Sequence, residues 1–228
     1  MTARTLRADL PAGIVALTDR RTARRPLPEV VAAAVAGGVR WVVLRERDLP
    51  RAERVALAAE LRAILAGVAG TLVVAGPDPL DGDAVHLPAV GPYPPPVLPL
   101  VGRSCHDVTE LGRITTEDYV TCSPVYPTRT KPGHGPPLYP DGLVDLIRAS
   151  PVPVLALGGV ETPDQVRACV AAGAVGVAVL GALMRAADPE TVAATLTAAH
   201  RAAGPVGHRA ARPASAEQQA VTPAGGER

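Results

Sequence analysis

The chain has no phenylalanine, and aromatic residues make up only 2% of its 228 positions. Its core must therefore be filled by Val, Leu, Ile and Ala, and the stacking platforms of a single-strand nucleic-acid binder are largely missing. Charge of one sign is also missing: 23 basic residues face 22 acidic ones, so no whole-molecule field draws the chain to nucleic acid or to a membrane surface. No apolar run approaches the ~18 residues of a membrane span, and Met1 to Pro11 carries Arg4, Arg7 and Asp9 in place of the apolar block of a signal peptide. The three cysteines, Cys105, Cys122 and Cys169, lie far apart without Cys-x-x-Cys spacing, and an odd number cannot all pair within one chain. Reduced thiols in a cytoplasmic protein are the plain expectation. No Cys/His spacing reads as a zinc site.

Short apolar runs separated by helical patterns are what the sequence does have. Strands are expected at Ile14–Leu17, Val39–Leu44, Thr71–Ala75, Ala84–Leu87, Leu98–Val101, Tyr119–Cys122, Val152–Leu157 and Val175–Val179. Helices are expected at Pro28–Ala36, Arg51–Leu65, Val108–Leu111, Asp141–Arg148, Pro163–Ala172 and Pro189–Arg201. In the second of these, Leu57, Leu61, Ile64 and Leu65 form the apolar face and Arg62 lies opposite. Thr162, Pro163 and Gln165 mark one helix start as a capping box. Gly76 to Asp83 is too short for a crossover helix, and Gly91 to Pro99 holds five prolines, so the helices after strands 3 and 4 should be shortened or replaced.

Eight βα units in one chain of this length predict a single α/β domain, a (β/α)₈ barrel over about residues 13–203. A lead-in over 1–12 precedes it. Residues 204–228, rich in Pro, Ala, Gly, Gln and Arg without periodicity, read as a disordered tail.

In such a barrel the residues following each strand converge on one face. They are Thr18 and Asp19, Arg45 and Arg47, His86, Arg103 and Ser104, Thr128 to Lys131, and the backbone at Gly158, Gly159, Leu180 and Gly181. Two late glycine sites suit a phosphate held by bare N–H groups, although Gly pairs also end strands for steric reasons. Thr128, Arg129, Thr130 and Lys131 alternate hydroxyl and cation in a long Pro-bounded loop, suited to an anion; a solvated basic loop is the competing reading. Arg45 and Arg47 stand two apart and suit a second anion, unless Arg45-Glu46-Arg47-Asp48 merely neutralises itself. His86, between Val85 and Leu87, is either an acid or base or a satisfied half-buried imidazole. His106 and His134 read as solvated.

Taken in order, Leu44-Arg45-Glu46-Arg47, Val85-His86-Leu87-Pro88, Gly102-Arg103-Ser104-Cys105-His106, Ser123 to Lys131, Leu157-Gly158-Gly159-Val160 and Gly176 to Leu183 resemble the thiamine phosphate synthase and TenI superfamily over about Ile14 to Ala202. In the synthase branch the resemblance implies coupling of hydroxymethylpyrimidine diphosphate to a thiazole phosphate, with Mg²⁺. Arg45, Arg47 in place of a lysine, Ser104 and Lys131 would hold diphosphate. Thr128 and Thr130 would face the thiazole, and Gly158, Gly159, Leu180 and Gly181 would take its phosphate.

Several positions depart from the synthase pattern. Val43 stands for a Gln, Ala75-Gly76 for an Asn-Asp pair, and no acidic residue follows His86 in Leu87-Pro88-Ala89-Val90. The pattern is closer to the TenI branch, which tautomerises thiazole carboxylate phosphate by proton transfer. Pro124 occupies the place of a His that some tautomerases carry, which leaves His86 as the candidate catalytic group. The expected ligand is a small-molecule thiazole phosphate, with no nucleic acid and no membrane partner; a homo-oligomer is left open. Mg²⁺ is implied only on the synthase side. The alternatives to a tautomerase are the synthase itself and a catalytically silent barrel that binds such a phosphate in regulation.

Overall fold

The computed structural model describes residues 10–128 and 135–204. Eight parallel strands close on themselves in chain order: β1 Gly13–Leu17, β2 Trp41–Leu44, β3 Thr71–Ala75, β4 Ala84–Leu87, β5 Leu100–Cys105, β6 Tyr119–Cys122, β7 Val154–Leu157 and β8 Gly176–Val179. Closure comes from β1 against β8, with Gly13 opposite Gly176 and Ile14 opposite Val177. Around the barrel lie α1 Leu27–Ala36, α2 Arg51–Ala66, α3 Val108–Leu111, α4 Tyr139–Ala149, α5 Pro163–Ala171, α6 Gly181–Met184 and α7 Pro189–Ala203. The chain is therefore a single (β/α)₈ barrel, as its alternation predicts. The expectations for the terminal segments fall largely on residues 1–9 and 205–228, outside the described residues.

Most boundaries agree within two residues. Strand β7 begins after Pro153, which has no N–H to offer the ladder. The capping box at α5 is present: Thr162 Oγ1 accepts from Gln165 N at 3.3 Å, and Gln165 Oε1 accepts from Thr162 N at 3.1 Å. Strand β5 is the main difference. It starts and ends later than its apolar run, taking in Gly102, Arg103, Ser104 and Cys105, each paired with β6.

The connections after β3 and β4 carry no helix, and specific side chains cover the barrel instead. Leu80 is fully buried in the β3–β4 loop. Arg62, expected on the far side of α2, is half-buried and donates to the carbonyls of Leu80 at 2.9 Å and Pro79 at 3.0 Å. On α2 the buried residues are Ala58, Leu61 and Leu65; Leu57 and Ile64 are only partly covered, because the helix is rotated toward the small side chain of Ala58.

After β4 the Pro-rich segment is tied down by Arg103. Its side chain points out of the barrel and is wholly buried, with Nε 2.5 Å from Glu117 Oε1. Its other nitrogens reach Pro88 O at 3.0 Å and Pro92 O at 2.8 Å, and the guanidinium lies 4.0 Å from the Tyr93 ring centre. The expectation that Arg103 sits at the barrel mouth is thus corrected: strand alternation turns it to the opposite side from Ser104.

Replacing Arg103 with Leu leaves Glu117 charged and buried without its cation, and should cost about 3–5 kcal/mol in urea unfolding. Adding Glu117→Gln should recover part of that loss; a double variant no more stable than the single one would show that the carbonyl contacts dominate.

Candidate functional site

The side chains that alternation turns inward at the carboxyl ends of the strands enclose a cavity of about 280 Å³. Its inner wall is apolar, from Val15, Leu17, Val43, Ala75, Leu155, Leu157 and Ala178. Its polar floor comes from β4, β5 and β6. His86 faces Gly102, and Gly102 faces Tyr119, in consecutive register pairs. A Cβ at Gly102 would lie 2.1 Å from the Tyr119 ring, so only glycine lets that ring cross toward β4. The His86 and Tyr119 rings then stack at 5.5 Å between centroids.

His86 Nδ1 is 3.2 Å from Tyr119 Oη, and its Nε2 is 3.0 Å from Ser104 Oγ and 3.3 Å from Thr121 Oγ1. Burial, followed by repulsion from Arg47, Arg103 and Arg45, lowers its pKa from the ordinary 6.5 to about 3. The imidazole is therefore neutral at pH 7. Each of its nitrogens faces a hydroxyl that can donate or accept.

Above the floor, Arg45 and Arg47 line one side of the mouth. The neighbouring carboxylates do not neutralise them. Glu46 turns away and is buried, accepting from the Arg20 N–H at 3.2 Å and its guanidinium at 3.3 Å. Asp48 pairs with Arg20 at 2.6 Å and Arg21 at 2.7 Å. Arg45 N donates to buried Thr18 Oγ1 at 3.0 Å, which fixes the loop start. Among the described residues neither Arg45 nor Arg47 makes an ion pair. Arg47 is held below the usual arginine pKa by desolvation and by Arg45 and Arg54, a repulsion that a bound anion would relieve.

Thr128, Gly158, Gly159, Leu180 and Gly181 line the same cavity. Gly158 and Gly159 have φ of +99° and +69°. At Gly159 a Cβ would meet Pro127 O at 2.5 Å and Tyr126 O at 2.6 Å, so the pair also has a steric role, letting the β6 loop lie on the end of β7. Gly181 opens α6, whose first N–H groups have no acceptor within the helix.

The structure thus brings together His86, Arg45, Arg47, Ser104, Thr128, Gly158, Gly159, Leu180 and Gly181. Thr130 and Lys131, with Arg129 and His134, lie outside the described residues. Asp19 does not line the cavity and instead accepts from Arg21 N at 3.0 Å. Tyr119, Thr121 and Glu161 line it without being singled out by sequence; the first two follow from the alternation of β6 once its inward parity is known. His106, expected to be solvated, is instead partly buried on the cavity wall, its ring held by Glu110. All three cysteines are free and buried, and burial raises their pKa values. No described helix is long and apolar enough to cross a membrane.

Residues 14–91 and 94–183 match the family model described as thiamine monophosphate synthase. The chain belongs to this family. The thiamine monophosphate synthase match is supported by curated relatives. A putative thiamine-phosphate synthase of Geobacter sulfurreducens is 35% identical over 198 residues, covering 80% of this chain and 91% of the relative. A thiamine-phosphate synthase of Roseiflexus sp. strain RS-1 is 33% identical over 205 residues, covering 82% of this chain and 84% of the relative. Among solved structures, a thiamine phosphate pyrophosphorylase from Pyrococcus furiosus superposes with a TM-score of 0.72 at 24% identity, covering 84% of this chain and 96% of that one, a likeness of fold.

Mg²⁺ is tested by the donors present. Glu161 is the one carboxylate on the described cavity wall, and Arg185 holds it at 2.5 Å. No group of three or more His, Cys, Asp or Glu among the described residues is placed to hold a metal ion. A hard cation wants carboxylate oxygens, and these residues do not fit it.

The unfolded chain takes up a proton on His86 below pH 6.5, whereas the folded chain refuses it until about pH 3. Stability from this group is therefore complete above pH 6.5 and is lost as the pH falls toward 3. The loss should be roughly 2 kcal/mol between pH 7 and pH 5. Urea midpoints at the two pH values check this: His86→Asn should show a smaller acid loss than the unaltered protein, and an equal loss would mean the imidazole titrates normally.

Proposed function

We propose that this chain acts in thiamine biosynthesis on a thiazole phosphate, joining it to hydroxymethylpyrimidine diphosphate as a thiamine phosphate synthase. The observation that carries this reading is the pair Arg45 and Arg47, left uncommitted by Glu46 and Asp48 and facing the cavity that Gly158, Gly159 and Gly181 rim. The two sets of groups suit the two anions of that reaction. Guanidinium groups take the diphosphate, and backbone N–H groups at the glycines take the ester phosphate. The names of the relatives support the reaction type.

In this reading the thiazole nitrogen attacks the pyrimidine methylene carbon, and the carbon–oxygen bond to diphosphate breaks with its electron pair. Arg45 and Arg47 stabilise the charge that develops on the leaving oxygens. Ser104 and Thr128 supply hydroxyls beside the reacting groups, and the apolar wall excludes water from them.

A second reading, thiazole tautomerisation, is favoured by the donor set. Among the described residues the cavity offers imidazole and hydroxyl groups for moving a proton and no carboxylate cluster for Mg²⁺. In this reading His86 is the proton carrier expected from sequence. A silent phosphate-binding barrel has no observation of its own in its favour.

Supplying both synthase substrates with Mg²⁺ and following diphosphate release tests the first reading; no release above background removes it, and isomerisation of thiazole carboxylate phosphate by the same preparation would install the second. Arg45→Ala and Arg47→Ala should each weaken binding of the pyrimidine diphosphate by about 10–100-fold, the worth of one charge-assisted contact. Affinity for thiazole phosphate, measured calorimetrically, should change much less.

A further inference from the structure

A diphosphate leaving group concentrates negative charge at the mouth of the barrel, and the carboxylates that could hold a cation there for it are engaged elsewhere. Between Leu87 and Leu100, and again between Cys122 and Tyr139, the sequence has no acidic residue at all. After β2, Glu46 and Asp48 are bound by Arg20 and Arg21. After β3 the first carboxylate is Asp78, which accepts from Arg51 Nε at 2.8 Å and from the Leu80 N–H at 3.0 Å; Asp81 takes the same guanidinium at 3.3 Å. After β7, Glu161 is held by Arg185. None of these four arginines lines the main cavity.

The arginines without such partners lie close to one another. Arg45 and Arg47 line the cavity, and Arg54, the fourth residue of α2, is half-buried near them. The Arg54 Nε is covered and has no hydrogen-bond partner, and among the described residues none of the three makes an ion pair. The closeness is felt at Arg47, which burial, then the charges of Arg45 and Arg54, hold below the usual arginine pKa. Three guanidinium groups with no carboxylate among them repel each other until an anion arrives, so the mouth is built to gain from a ligand with several negative oxygens.

We propose, on the synthase reading of the cavity, that Arg45, Arg47 and Arg54 form a cluster that takes the place of a divalent cation, so that diphosphate is bound and released from the pyrimidine without a metal. Arg45 and Arg47 are the contact groups: their planar forks match phosphate oxygens in pairs and stay charged at any working pH. Arg54 is a positioning residue, acting through Arg47 and through its own charge, since it does not reach the cavity wall. In the step, the lone pair of the thiazole nitrogen forms the bond to the methylene carbon while the carbon–oxygen bond breaks. The electron pair of the broken bond stays on the diphosphate oxygen and the ring nitrogen becomes positive. No proton moves and nothing is oxidised or reduced. The charge gathering on the diphosphate is what the cluster offsets.

Calorimetric titration of inorganic diphosphate, in EDTA and again in Mg²⁺, reads the binding apart from turnover. The Kd in EDTA should be no more than about threefold weaker than in Mg²⁺. Arg54→Gln should weaken the EDTA value about tenfold, the effect of one charge lost a few ångströms away in a half-buried site, while Arg54→Lys, which keeps the charge, should weaken it less than about threefold. Equal losses in the two variants would mean that Arg54 serves only the fold, and would remove it from the cluster. With both synthase substrates, diphosphate release in EDTA should keep at least about a tenth of its rate in Mg²⁺. A slower release in EDTA, or diphosphate affinity that appears only with Mg²⁺, overturns the metal-free cluster and leaves the synthase reading standing. No release in either buffer overturns the synthase reading, and the cluster's role with it.

Discussion

Closure of β8 on β1 sets the parity of every strand, and the site depends on that parity. Once Gly13 pairs with Gly176, alternate residues along each strand must face the axis, and a shift of one residue would exchange the two sets. Arg45 faces inward because Val43 does, and Glu46 faces outward because Leu44 does. His86, Gly102 and Tyr119 stand in one row for the same reason, and the absent side chain in the middle lets the outer two meet. The polar floor is therefore a consequence of register, with a single glycine deciding that it is continuous.

Strand positions were legible because a parallel sheet covered on both faces demands short continuous apolar runs, and the chain supplies eight. The glycines after β7 and β8 were legible as a rim because two glycine sites follow consecutive late strands, where a barrel commonly binds a phosphate. In β5 the apolar run and the strand part company. Arg103 can stay inside a strand only because Glu117 and the carbonyls of Pro88 and Pro92 meet its guanidinium, and these partners lie eleven to fifteen residues away in sequence. Pairing at that distance leaves no local signal. His106 did leave one, a histidine with a glutamate four residues on at a helix start, but a loop before the helix breaks the periodicity that makes such spacing readable.

Charge shows the same division between global and local. The formal net charge of +1 suggests no anion affinity, yet Arg20 and Arg21 from the β1 loop take up Glu46 and Asp48, and Arg185 takes up Glu161. Each of these three acidic residues is matched by an arginine lying away from the cavity axis, so Arg45 and Arg47 remain to act on whatever enters. Family membership and the local donors then carry different information. Membership gives the barrel and the family; the donors decide how negative charge is met, and among the described residues guanidinium groups are placed to meet it where a carboxylate cluster for a metal is not.

A cationic mouth above a histidine would ordinarily raise a difficulty, because an arriving anion favours the protonated imidazole and could change the floor from a set of donors and acceptors to donors alone. The pKa of about 3 removes it. An opposite charge within a few ångströms shifts a pKa by about 1–3 units, which still leaves His86 neutral at pH 7 after a phosphate binds. Arg47 and Arg45, which face an arriving anion, are two of the three arginines that, after burial, hold the imidazole pKa down, the third being Arg103 on the far side of β5. Anion binding and the neutrality of the floor are thus linked through one pair of side chains, and the floor can keep one hydrogen-bonding pattern through the arrival and departure of charged ligands.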